Sequence, residues 1–339
     1  MKKGIPSFLL AVIFILGISP GIQSGYSSEP FKDQPVLINL WVPPLPFLPA
    51  SDPEPLGDFN SLTIPLKRAG RLFLIEAVID GVSGNLVFDT GATGLVLNST
   101  YFRNHRITDN FTSNGITGST GKIGCTQVEK VEVGDLYYED IKADVTDLGH
   151  IENRRGAKII GLLGFNMIKS FEIVIDASLN ELQLHRLNRR GDRIQQPEKE
   201  LKQDYVQKIE PWHPVLIMKG KIAGKQLSFC FDTGAETNAI SSHAPKNIIS
   251  TISITRRSDL RGAGQAGNEV LFGIMNDFAM EDIDLKNMET IIVNLDALSE
   301  VYGVHIDGML GFGFLEKGVV TINIAKKTVG IRFAKNSES

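Results

Sequence analysis

The chain has 339 residues, enough for two domains of ordinary size, and its 42% hydrophobic and 22% charged residues suit a soluble protein with a substantial core. A formal net charge of −4 argues against the clustered basic surface that nucleic-acid binding needs. The 33 glycines, set among short apolar runs, favour turn-rich β structure over a helical bundle.

Along the chain, Lys2 and Lys3 precede an apolar run, Phe8–Ile18, and a zone of small and polar residues between Ser19 and Gly25. Residues 1–24 therefore read as a signal peptide, and the expected location is periplasmic or extracellular. Extension of the run through Ile22 would instead make an uncleaved anchor, so both readings stand. Residues 25–60 form a connector in which Trp41–Pro49, Pro53 and Pro55 disfavour helix. Leu72–Ile79 and Val215–Ile222 are predicted strands, each ending at a hairpin turn, Asp80-Gly81 and Ala223-Gly224. Phe171–Asp176 and Val319–Ile324 alternate as strands do, with turns at Asn180 and Lys326-Lys327. Short helices are predicted at Ser99–His105 and Leu295–Tyr302. The polar stretch 189–210 reads as a linker between two halves, residues 61–188 and 211–335.

Those halves are copies. Val78–Ala92 aligns with Lys221–Ala235 at an offset of 143 residues, and Gly161–Leu184 aligns with Gly308–Ile331 at 147. The drift of four residues is one loop insertion. In each copy an apolar strand runs into Asp-Thr-Gly-Ala, at Asp89–Ala92 and Asp232–Ala235. One Asp-Gly-containing turn would mean little. Two related by duplication can bring Asp89 and Asp232 face to face, where the carboxyl groups share a proton and provide one general base and one general acid.

The chain resembles the retropepsin-like, pepsin-related aspartic proteases, in a tandem-lobe single-chain form, over about residues 61–335. The resemblance rests on Phe-Asp-Thr-Gly-Ala at 88–92 and 231–235, and on Leu162-Leu163-Gly164 and Asp307-Gly308-Met309-Leu310-Gly311 downstream. It implies an all-β fold of two acid-protease β-barrel lobes, related by pseudo-twofold symmetry, with a cleft between them. It further implies an aspartic endopeptidase with Asp89 and Asp232 as the catalytic dyad and Thr90 and Thr233 interlocking across the lobes. Gly91 and Gly234 would present amides, with Ala92 and Ala235 beside them. Leu162, Leu163, Gly164, Met309, Leu310 and Gly311 would form the psi-shaped loops beneath the dyad. The flaps would be Gly115-Ile116-Thr117-Gly118 and Gly262-Ala263-Gly264, both lacking the tyrosine of pepsin flaps. The alanines, in place of a hydroxyl residue, imply a higher dyad pKa and a mildly acidic to neutral optimum.

No cofactor or metal is implied; the partner is a peptide or protein substrate, and the paired lobes imply a monomer. Glu236 and Thr93 follow the two alanines, as substrate contacts or as structural positions near the lobe interface. Cys125 and Cys230 read as buried thiols, with a disulfide as the alternative. Gly262-x-Gly264-x-x-Gly267 mimics a dinucleotide fingerprint but leads into a strand-like run, not a helix. The competing function is a non-catalytic exported peptide-binding protein on the same scaffold. Such a protein is expected to lose an Asp or Gly from one motif, and both motifs are intact.

Overall fold

The computed structural model describes residues 13–14, 39–40, 52–107, 109–115, 118–196, 202–210, 215–260 and 268–334. Most of residues 1–24, read as a signal peptide, and most of the connector lie outside the described residues. A two-residue pair, β1 (Ile13–Phe14) with β2 (Asn39–Leu40), precedes the body. The first lobe opens with β3 (Ser61–Pro65), β4 (Lys67–Ala69), β5 (Leu72–Ile79), β6 (Val82–Asp89) and β7 (Leu95–Asn98). It continues with β8 (Asp109–Gly115), β9 (Gly118–Val133), β10 (Leu136–Thr146), helix α1 (Gly149–Arg155) and β11 (Ile159–Gly164). A short α2 (Phe165–Ile168) leads to β12 (Glu172–Asp176) and β13 (Glu181–His185). In the second lobe β14 (Tyr205–Lys208), β15 (Leu216–Ile222), β16 (Lys225–Phe231), β17 (Asn238–Ser241), α3 (Lys246–Ile249), β18 (Ile252–Leu260) and β19 (Asn268–Met275) come first. Then follow β20 (Phe278–Met280), β21 (Ile283–Leu285), β22 (Met288–Val293), α4 (Asp296–Tyr302), β23 (Gly308–Leu310), α5 (Phe312–Leu315), β24 (Gly318–Asn323) and β25 (Thr328–Phe333).

The protein is all-β, with two lobes of matching strand order. The first-lobe sheet runs β4-β5-β6-β11-β7-β10-β9-β8, and a β5–β9 pairing closes six of these strands into a barrel. The second-lobe sheet repeats the order as β18-β19-β22-β17-β23-β16-β15-β20-β21 and stays a half-barrel: β15 pairs with β20 as β5 does with β9, but the strand equivalent to β9 is broken between β19 and β20. The hairpins turn where the sequence indicates. Asp80 and Gly81 have φ of 46° and 80°, and Ala223 and Gly224 have 50° and 70°, the left-handed geometry of a two-residue turn matched to strand twist.

The lobes meet in a third sheet, β14-β25-β24-β12-β13-β3, to which each contributes three strands. At its centre β12 and β24 pair antiparallel, with Val174 opposite Thr321, its own counterpart in the duplication. The pseudo-twofold axis therefore passes through that pair. Residues 205–208, within the stretch read as linker, are an edge strand of this sheet.

Two further expectations change. Ser99–His105 is a run of turns, not a helix: Tyr101 N donates to the Asn98 carbonyl and His105 N to that of Phe102, without an i→i+4 ladder. The Asn98 side chain competes there, accepting from Thr100 N at 3.2 Å and so favouring the turn. Leu295–Tyr302 does form helix α4, starting at Asp296. No disulfide joins Cys125 and Cys230.

The main hydrophobic core continues through both lobes and includes Phe88 and Phe231. Each of these fully buried rings stabilises the fold by roughly 1.5–3 kcal/mol. Strand alternation divides the side chains. Leu86, Phe88, Leu95, Leu97, Ala143, Val145 and Leu163 point into that core. Val87, Ala92, Val96 and Leu162 form a separate cluster on the opposite face, the face that carries Asp89. Cys230, Ala235, Ala239 and Met309 are their equivalents in the second lobe.

Candidate active site

Strand β6 ends at Asp89 and β16 at Phe231, one residue before Asp232, and at each place the chain turns out of the sheet. The psi-shaped arrangement follows from β11 and β23. Each lies parallel to the motif strand, pairing Leu163 with Phe88, Gly164 with Asp89, and Leu310 with Phe231. On its other side each pairs antiparallel with the strand after the motif. Gly311, beyond the end of β23, donates its amide to the Asn238 side-chain oxygen at 3.1 Å. The Asp232 amide donates to the Leu310 carbonyl at 3.0 Å, fastening the second motif to its psi loop.

Across the axis the motifs interlock. Thr90 N donates to Thr233 Oγ1 at 2.9 Å and Thr233 N to Thr90 Oγ1 at 3.0 Å. Each hydroxyl in turn donates to a carbonyl of the opposite lobe, Thr233 to Phe88 at 2.8 Å and Thr90 to Phe231 at 3.3 Å. All four of these groups are buried, so valine at either site would orphan an amide of the other lobe.

This interlock sets the carboxyl groups against one another. A Cβ on Gly91 would stand 2.7 Å from Oδ2 of Asp232, and one on Gly234 would stand 2.6 Å from Cγ of Asp89. Only glycine permits that approach. Ala92 and Ala235 are both fully buried beside them.

The surroundings of the two carboxyl groups differ. Oδ1 of Asp89 accepts the amides of Gly91 at 2.9 Å and Ala92 at 3.0 Å. Oδ1 of Asp232 accepts only that of Gly234, at 2.8 Å, within its own loop. Burial pushes Asp89 up to about 6, held down by its interaction with Asp232 and by its two amides. Burial and the adjacent Asp89 charge push Asp232 well above the carboxylate range. Asp232 is therefore the proton holder and Asp89 the more acidic member. Oδ2 of Asp89 is buried and meets no donor among the described residues.

Two residues outside the motifs complete the surroundings. Arg155, last in α1, pairs across the lobes with buried Glu236. Tyr302, last in α4 and the duplication counterpart of Arg155, donates its hydroxyl to the Gly91 carbonyl at 3.1 Å. Burial, then the nearby Cys230, Asp232 and Asp89, raise the pKa of that hydroxyl well above its ordinary value. Thr93 stands where the second lobe has Glu236, and its hydroxyl has no partner among the described residues. The offset of 147 that aligns Arg155 with Tyr302 was the available sequence signal for these latches. Gly115 and Gly118 pair at the tip of the β8–β9 hairpin, whereas Ile116, Thr117, Gly262, Ala263 and Gly264 lie outside the described residues.

A family model described as aspartyl protease matches residues 75–167 and 218–314, one match per lobe. The chain belongs to the aspartyl protease family. Among solved structures, the chain is similar to a retropepsin-like aspartic protease from Rickettsia conorii, at 21% identity and a TM-score of 0.27. That match covers 39% of the present chain and 95% of the other. No curated protein matches the aspartyl protease chain.

Proposed function

We propose that this protein is an aspartic endopeptidase in which Asp89 and Asp232 activate a water molecule to hydrolyse a peptide bond. The observation that carries the reading is the pair of buried carboxyl groups, facing each other across the axis with unequal proton affinity. At neutral pH Asp89 is ionised and Asp232 protonated. Asp89, through the oxygen that lacks a donor, takes a proton from water as the water oxygen attacks the scissile carbonyl carbon. Asp232 gives its proton to the carbonyl oxygen, forming a neutral gem-diol. Asp89 then passes its proton to the amide nitrogen, the C–N bond breaks, and a proton of the diol returns to Asp232. Acid and amine products leave, and the dyad again holds one proton.

A single chain supplies both carboxyl groups, so the active species is taken as a monomer, exported by residues 1–24 as a signal peptide or an N-terminal anchor. The test is cleavage of a peptide library by the wild type and by Asp89→Asn and Asp232→Asn. Each substitution is expected to lower kcat at least about a hundredfold, since general acid–base catalysis contributes roughly 10²–10⁴. Undiminished cleavage by either variant sinks the dyad assignment. Peptide retention without cleavage by the wild type would favour a binding module.

A further inference from the structure

The two motif loops carry the same residues, Phe-Asp-Thr-Gly-Ala, yet the bonds that hold them differ. In the first loop Tyr302 of the opposite lobe donates its hydroxyl to the Gly91 carbonyl at 3.1 Å. That carbonyl and the Ala92 N–H belong to one planar peptide unit and point in opposite directions. The Ala92 N–H donates to Oδ1 of Asp89 at 3.0 Å, beside the Gly91 amide at 2.9 Å. Two hydrogen bonds in series therefore run from the Tyr302 hydroxyl, through one peptide, to the Asp89 carboxylate. At the equivalent helix end of the first lobe stands Arg155, which pairs with Glu236 instead. The Gly234–Ala235 peptide thus has no tyrosine hydroxyl on its carbonyl. Among the described residues its Ala235 amide reaches the backbone carbonyl of Asp232, at 3.3 Å, and not the side chain.

We propose that Tyr302 is a positioning residue for Asp89, holding the Gly91–Ala92 peptide with its N–H on the carboxylate and so making Asp89, not Asp232, the base. The proposal rests on the peptidase reading for the role of base. Tyr302 is buried, which shelters its bond from competing water. Burial, with Cys230, Asp232 and Asp89 nearby, keeps the hydroxyl protonated, and therefore a donor, at any pH where the dyad works. Donation to one end of a peptide polarises the other and strengthens its bond by roughly 10–30%. A stronger bond to the ionised carboxyl group makes that group more acidic. The titratable groups near Asp89 are Asp232, Cys230 and Tyr302, and the Gly91 amide also favours ionised Asp232. In the second loop, Glu236 is already neutralised by Arg155. Phenylalanine at 302 alters none of these charges, so a shift on substitution reports the lost donor.

The test is a carboxyl-carbon NMR titration of the full-length protein with isotopically labelled aspartate. The dyad signals are identified by their loss in Asp89→Asn and Asp232→Asn. In Tyr302→Phe, which keeps the ring and nearly the volume, the lower dyad midpoint is expected to rise by at least about 0.3 pH units. Leu298→Val loosens the packing of the same helix, α4, but keeps the hydroxyl, and should leave the midpoint within about 0.1 units of the wild type. The acid limb of the kcat/KM profile is expected to move with the midpoint in Tyr302→Phe. A midpoint that stays, falls or moves equally in both variants overturns the proposal, as does an acid limb that fails to follow it. Cleavage by the wild type is scored separately. Cleavage with an unmoved midpoint in Tyr302→Phe removes this role of Tyr302 and leaves the peptidase reading. A raised midpoint in a protein that cleaves nothing leaves the hydrogen-bond series standing and removes the peptidase reading.

Discussion

Asp89 and Asp232 occupy equivalent places in duplicated loops, yet burial and the adjacent Asp89 charge raise Asp232 further, while the bond with Asp232 and the amides of Ala92 and Gly91 hold Asp89 down. The consequence is measurable. The kcat/KM profile is expected to rise with an acid-limb pKa near 6 and to be high at neutral pH, because below about 6 Asp89 is protonated and cannot serve as base. A profile peaking near pH 2 would count against it. Stability follows with a definite sign. A carboxyl group whose folded pKa lies above its unfolded value of about 3.9 favours the folded state when protonated. That contribution is full below pH ~4 and is lost as pH rises through about 6. Asp232→Asn removes the neighbour while leaving an oxygen for the Gly234 amide. The change in Tm between pH 4 and 7 should therefore be less negative in the variant than in the wild type, since the other carboxylates are common to both. An identical pH dependence in the two proteins would refute the assignment. That Asp89 and Asp232 stand at equivalent places was legible in the repeated motif. Their inequality was not, because it depends on which amides point at which oxygen.

At the scale of elements, the same sequence position does different work in the two lobes. The last residue of α1 makes an ion pair with Glu236 on the opposite lobe, and the last residue of α4 makes a neutral hydrogen bond to Gly91. Arg155→Ala leaves a fully buried carboxylate unpaired and should cost about 3–5 kcal/mol in urea unfolding. Tyr302→Phe removes one donor from a carbonyl and should cost about 1 kcal/mol. Equal losses from the two would show that the ion pair is not the stronger latch. Neither was apparent from pattern alone, since a terminal Arg or Tyr on a short helix reads as surface until the facing lobe is in place. Helix α4 was readable, whereas Ser99–His105 was misread because Asn98 turns the chain with its own side chain. Strands and hairpin turns were readable throughout, as alternation and the Asp80-Gly81 and Ala223-Gly224 pairs are local signals.

The whole molecule is held at both ends of its axis, by the threonine interlock at the dyad and by the Val174–Thr321 pair in the shared sheet. Because β12 and β24 are central strands of one sheet built from both lobes, neither lobe can open without exposing the other's edge. Calorimetry is expected to give one cooperative transition, with both lobes unfolding together. Two resolved transitions would show that the shared sheet does not couple them. Thr90→Val should lower that transition, since the buried Thr233 amide is left without an acceptor, at a cost of about 1–3 kcal/mol.

The sequence by itself determined the duplication, the strand content, the hairpin turns and the identity of the paired aspartates. These rest on local alternation and on repetition, which survive without knowledge of what lies opposite. Only the tertiary structure decided which aspartate holds the proton, that Arg155 and Tyr302 reach across the lobes, and that residues 205–208 join the shared sheet. Each of these depends on desolvation or on partners about 80 to 210 residues away in the chain, and a periodic pattern carries neither.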